Sequence, residues 1–424
     1  MPVKLESARD PRKRQISFRN EVRGIPSTTY GAFGLYAYPA KFIPQVVAYA
    51  LDEYADPGMT VFDPFAGYGT TGVVAGIRGH DYELWDLNPL LEVLHKVATM
   101  KQPRQDVDRL ITEMRYSCHE FIPDWPNRTY WFPEEFLPFL YRAWGFYHSL
   151  EDEEAKLLLT IPLLKVTRFF SLDDLYRQKL SRSPRSRKRL DRLLRGNWQE
   201  RFYEKVRDEA YAVVRGIAEH HGLSPKPVRR TVRAGIDTLT LDLAKDMDIL
   251  ITSPPYLQAQ EYIRHAKMDL FWLGYPQAVI RDLNKKEIPY RDVEPCEVQS
   301  DTYYRIRRQI EEEHLLGTFD AYFWGILGAL TRLQRKISSY LFLVVGQATL
   351  RGRPVPIDDI FRQHFTALGW THEITLVDTI VTRRMFFYDN NPATGLKDKR
   401  MRTESLVVLK KTIPHRVRMS CLHP

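Results

Sequence analysis

Residues 60–89, T-V-F-D-P-F-A-G-Y-G-T-T-G-V-V-A-G-I-R-G-H-D-Y-E-L-W-D-L-N-P, constrain the fold more than any other part of the chain. Val61 and Phe62 make the kind of short apolar run that a parallel strand buries on both faces. Asp63 then opens a turn in which Gly67 and Gly69 let bare backbone approach a neighbour closely. A helix follows with Val73, Val74 and Ile77 on one side, and a second strand at 82–85 ends on Asp86. Strand, glycine turn, helix and strand in that order predict a parallel α/β unit.

The details of the turn narrow what it can hold. No Gly-Lys-Ser/Thr follows it, which excludes a phosphate-cradling P-loop, and the third glycine of a dinucleotide fingerprint is out of place. Asp86 lies about twenty residues past the first glycine, where nucleotide-type folds put a carboxylate that accepts ribose hydroxyls. G-Y-G alone would equally fit a plain strand-to-helix turn. The longer pattern D-P-F-A-G-Y-G-T-T resembles the first motif of the S-adenosylmethionine-dependent amino-methyltransferases of DNA. Upstream, Tyr38-Pro39-Ala40-Lys41-Phe42 looks like the N-terminal cofactor motif of the same family, which sits beside the methionine end of the cofactor. The family often has His-Pro just before it, and here those positions are Tyr36 and Ala37.

A strand predicted at 248–252 ends in Ser253-Pro254-Pro255-Tyr256. Two prolines there stop the hydrogen-bond ladder and fix the backbone, so that carbonyl oxygens face outward as acceptors. Alone, S-P-P-Y would be a strand-ending turn; downstream of the glycine motif it resembles the catalytic motif of the amino-methyltransferases. The serine form resembles the cytosine-N4 branch, whereas Asp-Pro-Pro-Tyr is more usual of the adenine-N6 branch. The resemblance extends through 257–274, ending in Trp272-Leu273-Gly274. From its periodicity this segment is a helix burying Met268, Leu270, Phe271 and Trp272, with Tyr262 and Arg264 available to the site and His265 structural.

The resemblance covers about 29–100 and 228–411. It implies a Rossmann-like methyltransferase sheet with a helical insertion between the second and third core strands, and S-adenosylmethionine as cofactor. The expected cofactor residues are Tyr38, Pro39, Lys41, Phe42, Asp63, Phe65, Gly67, Gly69, Thr70, Thr71, Asp86, Asn88 and Asp237, with Asp86 on the ribose and Asp237 near the adenine amine. Asn88 can also cap a helix. Ser253, Pro254, Pro255 and Tyr256 are the expected catalytic residues. An exocyclic base amine is a poor nucleophile, and two acceptors on its protons turn its lone pair toward the cofactor methyl. Tyr256 would stack on a base flipped out of the duplex. Alternatives are adenine-N6 methylation, an RNA substrate, or a methyltransferase-like nucleic-acid-binding protein without turnover. Cys296 is set aside as a cytosine-C5 nucleophile, because it follows the amine-type motif and no polar amide follows it.

The remaining chain divides by pattern. Residues 1–28 form a basic leader, including Arg9, Arg12 and Arg19, expected to be a solvated terminus outside the 29–102 and 228–411 core. Residues 103–227 read as a helical, aromatic insertion, with helices at 136–150 and 153–164, and as a candidate target-recognition region. Within it, 177–195 carries Arg177, Lys179, Arg182, Arg185, Arg187, Lys188, Arg189, Arg192 and Arg195 against Asp191, and its Ser-rich centre S-R-S-P-R-S lacks a core-forming face, so the segment is expected to contact DNA phosphates. Further strands are expected at 228–232, 340–345, 373–381 and 404–409, the last two as an antiparallel hairpin closing the sheet, with a helix at 357–368. The polar loop 383–402 is a second candidate for target recognition, and 412–424 is a tail.

Composition agrees with these expectations. A chain of 424 residues, 44% apolar, can bury a large core, and its net charge of +9 suits a polyanion such as double-stranded DNA. Three scattered cysteines imply neither disulfides nor a zinc ligand set, and no metal is expected. No apolar run reaches the roughly 18 residues of a membrane span. A cytoplasmic, nucleoid-associated enzyme is expected, with a cognate restriction endonuclease as a possible partner.

Overall fold

Alternate residues of the central strands feed two separate hydrophobic layers, and this decides the architecture. Val61, Leu84, Ile249 and Ile251 point into one layer, while Phe62, Trp85 and Leu250 point into the other. The first layer is covered by helices Pro44–Tyr54, Thr70–Arg78 and Leu90–Ala98, and the second by Glu313–Leu333 and Ile357–Ala367. The computed structural model describes residues 12–39, 41–177, 179–257, 261–350, 353–380 and 402–412. Arg9 and Ala40, most of the 383–402 loop and the tail after 412 lie outside the described residues.

The strands are β1 (Lys13–Ile16), β2 (Val61–Asp63), β3 (Tyr82–Asp86), β4 (Arg230–Ala234), β5 (Met247–Thr252), β6 (Ile337–Gly346), β7 (Ala348–Leu350), β8 (Arg353–Val355), β9 (Trp370–Thr379) and β10 (Thr403–Lys411). β7 and β8 make a small ribbon, and the others form one sheet in the order β1-β9-β10-β6-β5-β2-β3-β4. Every pairing in it is parallel except those of β10, which runs antiparallel to both β6 and β9. This is the expected Rossmann-like methyltransferase sheet, closed by the expected hairpin and interrupted between β3 and β4 by helices.

Three sequence expectations need correction. The leader is not apart from the core: β1 pairs with β9, Lys13 Nζ lies 2.6 Å from Asp358 Oδ2, and Phe18, Val22 and Ile25 are buried. Second, the helix expected at 153–164 runs on to Phe169, and a further helix begins at Pro184. Pro184 sits at its first turn, and the Ser183 hydroxyl accepts from the Ser186 N–H in a capping box, which starts helix Pro184–Leu194. Third, the Ser-rich centre and the helix it leads into do have a core side, because Ser186 and Leu190 are 0% and 2% exposed. The apolar residues of the insertion, such as Leu158, Phe202 and Val213, belong to the same buried cluster as Val73 and Leu91 beside the sheet. No helix among the described residues is long and apolar enough to cross a membrane.

Candidate functional site

β2 lies between β3 and β5, so the turn after β2, Asp86 at the end of β3 and Ser253 just past β5 converge at one edge of the sheet. They open into a cavity with about 860 Å3 of empty space, its open mouth included. The turn needs its glycines. Gly67 has φ 55°, and a Cβ there would come within 3.1 Å of the Tyr38 ring. Gly69 has φ 87°, and a Cβ there would lie 2.6 Å from His95 Nδ1.

Asp86 sits at the floor of this cavity. Its Oδ2 accepts the Gly67 N–H at 2.7 Å and its Oδ1 the Asn88 N–H at 2.7 Å. Burial pushes its carboxyl up to about 6, against the pull of these two bonds. Tyr38 closes one wall, and its hydroxyl accepts from Asn88 Nδ2 at 3.2 Å. Lys41 donates to the Phe33 carbonyl and lies 4.3 Å from the Tyr68 ring centroid; burial pulls its ammonium down to about 8. Pro39, Phe42, Phe65, Thr70, Asn88, Asp237 and Pro255 also line the cavity. Asp237 is engaged already, since its Oδ2 accepts from Arg291 Nη1 at 2.6 Å.

Several predicted residues stand outside the lining. Asp63 is fully buried beneath the turn, where Oδ1 accepts from the Phe65 N–H at 3.1 Å and the Thr252 hydroxyl at 2.7 Å, and Oδ2 from the Thr71 hydroxyl at 2.6 Å. Asp63 and Thr71 therefore tie the glycine turn to the last residue before Ser253, and Gly69 makes room for His95. Pro254 is buried, and Tyr256 is held by its hydroxyl, which donates to Glu404 Oε1 on β10 at 2.9 Å. Helix Tyr262–Trp272 buries Met268, Leu270, Phe271 and Trp272 as expected and brings Tyr262 to the cavity, but Arg264 faces a different concavity. Cys296 lies elsewhere; its thiol faces the Trp324 carbonyl at 3.5 Å, and burial pushes it up to about 11.

No family model matches the chain. It is 23% identical over 449 residues to the Type II methyltransferase M.MvaI of Kocuria varians, an alignment that takes in 95% of this chain and 97% of that protein. A shorter stretch of 88 residues is 32% identical to the Type II methyltransferase M.MjaII of Methanocaldococcus jannaschii, covering 21% of this chain and 17% of that one. Among solved structures, the rRNA methyltransferase aviRa of Streptomyces viridochromogenes aligns with 89% of this chain and 88% of its own, at 10% identity and a TM-score of 0.30.

The cations of 177–195 do not share one environment. The Arg189 guanidinium donates to the carbonyls of Phe169, Ser171 and Asp173, which makes it a brace for the loop before its helix. Arg177 lies 3.6 Å from Asp174, and Lys179 3.2 Å from Glu261. Arg182 lies over the Tyr130 ring and Arg185 over that of Tyr176, whereas Arg187 and Lys188 are exposed on the helix. Sequence reasoning missed Lys286, Glu287 and Ile288, which line the cavity, and Arg291. Glu287 Oε1 accepts the Ile263 N–H at 2.9 Å at the start of the helix that carries Tyr262, and burial pushes its carboxyl up to about 7. In sequence it sits in N-K-K-E-I-P, where nothing separates it from a solvated charge run.

Proposed function

We propose that this chain is a site-specific DNA methyltransferase that uses S-adenosylmethionine to methylate the exocyclic N4 amine of a flipped-out cytosine, protecting DNA from a cognate restriction endonuclease. The observation that carries this reading is the convergence of Gly67, Asp86 and Ser253 on one cavity from three adjacent strand ends. Similarity to a Type II methyltransferase over nearly the whole chain supports it.

The cavity suits the cofactor on two counts. Gly67 leaves backbone bare where a Cβ would crowd the Tyr38 ring. Asp86 supplies an anionic acceptor at a strand end, the place for ribose hydroxyls. When bound, S-adenosylmethionine supplies an electrophilic methyl group on sulfur. The chain's own residues do the rest. Asp86, anchored through Asn88, would hold the ribose, and Asp237, paired with Arg291, would meet the adenine end. The Ser253 hydroxyl and the Pro254 carbonyl would accept hydrogen bonds from the two amine N–H groups, which turns the nitrogen lone pair out of conjugation with the ring. Tyr256, tethered through its hydroxyl to Glu404, presents its ring to the flipped base.

The test is kinetic. Ser253→Ala and Tyr256→Ala should each lower turnover on DNA by about 10²-fold while cofactor affinity stays close to that of the parent. Undiminished turnover in Ser253→Ala would remove the residue from the reaction.

A further inference from the structure

A second concavity lies on the other side of helix Tyr262–Trp272, and Ile263 is a wall common to it and to the candidate active site. It encloses about 1460 Å3 of empty space, open mouth included. Segments far apart in sequence meet there: Tyr130 and Trp131 from the insertion, Arg182 from the Arg-rich stretch, Arg264 and Lys267 from the helix after the Ser-Pro-Pro-Tyr motif, and Arg281 from helix Gln277–Lys285.

Its charge is one-sided. Lys285 joins these four cations, and among the described residues lining the trough Glu261 is the one acid. Glu261 is already shared, with Arg264 at 3.0 Å and Lys179 at 3.2 Å. Burial and then the neighbouring Arg281 and Arg264 guanidinia pull the Lys267 ammonium below its usual value, as expected where cations crowd together. Aromatic surface is interleaved with this charge, for the Arg182 guanidinium lies 4.3 Å from the centroid of the Tyr130 ring, which is 54% exposed. Crowded cations beside an accessible ring match a polyanion that also carries stackable bases.

We infer that this trough binds the sugar-phosphate backbone of the DNA strand that carries the target base, leading that strand past Ile263 to the mouth of the active-site cavity. The inference rests on the reading of the chain as a DNA methyltransferase. It moves the principal phosphate contacts from the Arg-rich helix to a surface built jointly by the insertion and the catalytic core.

The experiment uses the full chain with a fluorescently labelled duplex and bound cofactor, and reads affinity against salt concentration. Replacing Arg264, Lys267 and Arg281 together by Gln should flatten the plot of log affinity against log salt by about 0.9 for each phosphate that is no longer neutralised. KM for DNA should rise roughly tenfold, more than kcat falls, because binding is removed and the reacting atoms are untouched. Calorimetric affinity for S-adenosylmethionine should stay at the parent value, which shows that the cavity is folded. Should the triple variant fail that check, Arg281→Gln alone should still lower the slope by about the share of one phosphate. An Arg187→Gln, Lys188→Gln double variant should change the slope less than the triple variant does. An unchanged slope and KM in the trough variants would overturn the inference, and tighter, trough-dependent binding of RNA of the same sequence would replace DNA as its occupant. The two levels are separable, because the parent's methyl transfer to DNA tests the functional reading and the variants' salt slopes test the trough.

Discussion

Asp86 Oδ2 accepts the Gly67 N–H at 2.7 Å, so the carboxylate that ends β3 also holds the turn that follows β2. One side chain therefore shapes the cavity and offers an acceptor within it. Asp86→Ala removes both contributions. A hydrogen bond to a charged group is worth about 1.5–3 kcal/mol, so cofactor affinity should fall by roughly ten- to a hundredfold in calorimetry. Undiminished affinity would remove Asp86 from the site.

The same residue sets a pH dependence. In the proposed binding mode the ribose hydroxyls donate to the ionised carboxylate, and the Asp86 carboxyl is pushed up to about 6 by burial. Cofactor affinity should therefore be full above that pH and weaken as pH falls through it, approaching about tenfold per unit below it. Asp86→Asn should flatten this profile in the same calorimetric titration.

Asp63 contributes to stability with a different sign. Burial raises its carboxyl to about 7, above the ordinary carboxylate value of about 4, so the folded chain holds that proton more tightly than the unfolded chain does. The stability this lends is fully present below the ordinary value and is lost as pH rises through about 7. Asp63→Asn should make urea-unfolding midpoints measured from pH 4 to 8 less dependent on pH. A variant with the parent's slope would contradict the assignment.

Much of this arrangement was legible in the sequence, and the failures have physical causes. Central strands buried on both faces leave continuous apolar runs such as I-L-I in β5, which are visible without any tertiary information. β1 leaves no such run because K-R-Q-I lies at the sheet edge with three of its four residues exposed. The burial of Phe18, Val22 and Ile25 at helical spacing was the available signal that the leader packs down. Asp63 was read as a ligand contact because its motif is a cofactor motif, and only the packing of Thr71 and Thr252 around it shows that it braces the turn. Glu287 reaches the cavity, and Arg291 the Asp237 that lines it, through the fold of a segment without periodicity, and no pattern in K-K-E-I-P-Y-R marks them.

The buried pair Arg168 and Asp269 joins the insertion to the helix beside the candidate site. Arg168 Nη2 lies 2.8 Å from Asp269 Oδ2, its Nη1 donates to Asp173 Oδ2 at 3.0 Å, and the Tyr36 hydroxyl donates to Asp269. Arg168→Leu strands two carboxylates that are at most 3% exposed. Removing one partner of such a pair costs about 3–5 kcal/mol, so the unfolding midpoint should drop sharply. Tyr36→Phe should cost only about 1 kcal/mol by the same measurement.

Arg189 should behave as a structural residue despite its place in a basic run. Its three carbonyl acceptors predict that Arg189→Ala lowers thermal stability by about 1–3 kcal/mol, whereas Arg187→Ala leaves it nearly unchanged. Equal stability of the two variants in a thermal scan would contradict the bracing role.

The atom methylated is the most direct test of the proposed chemistry. DNA incubated with the purified chain and isotopically labelled S-adenosylmethionine can be digested to nucleosides and analysed by mass spectrometry. N4-methylcytosine carrying the label is the expected product, lost in Ser253→Ala. N6-methyladenine as the dominant labelled nucleoside, or no label in DNA at all, would contradict it.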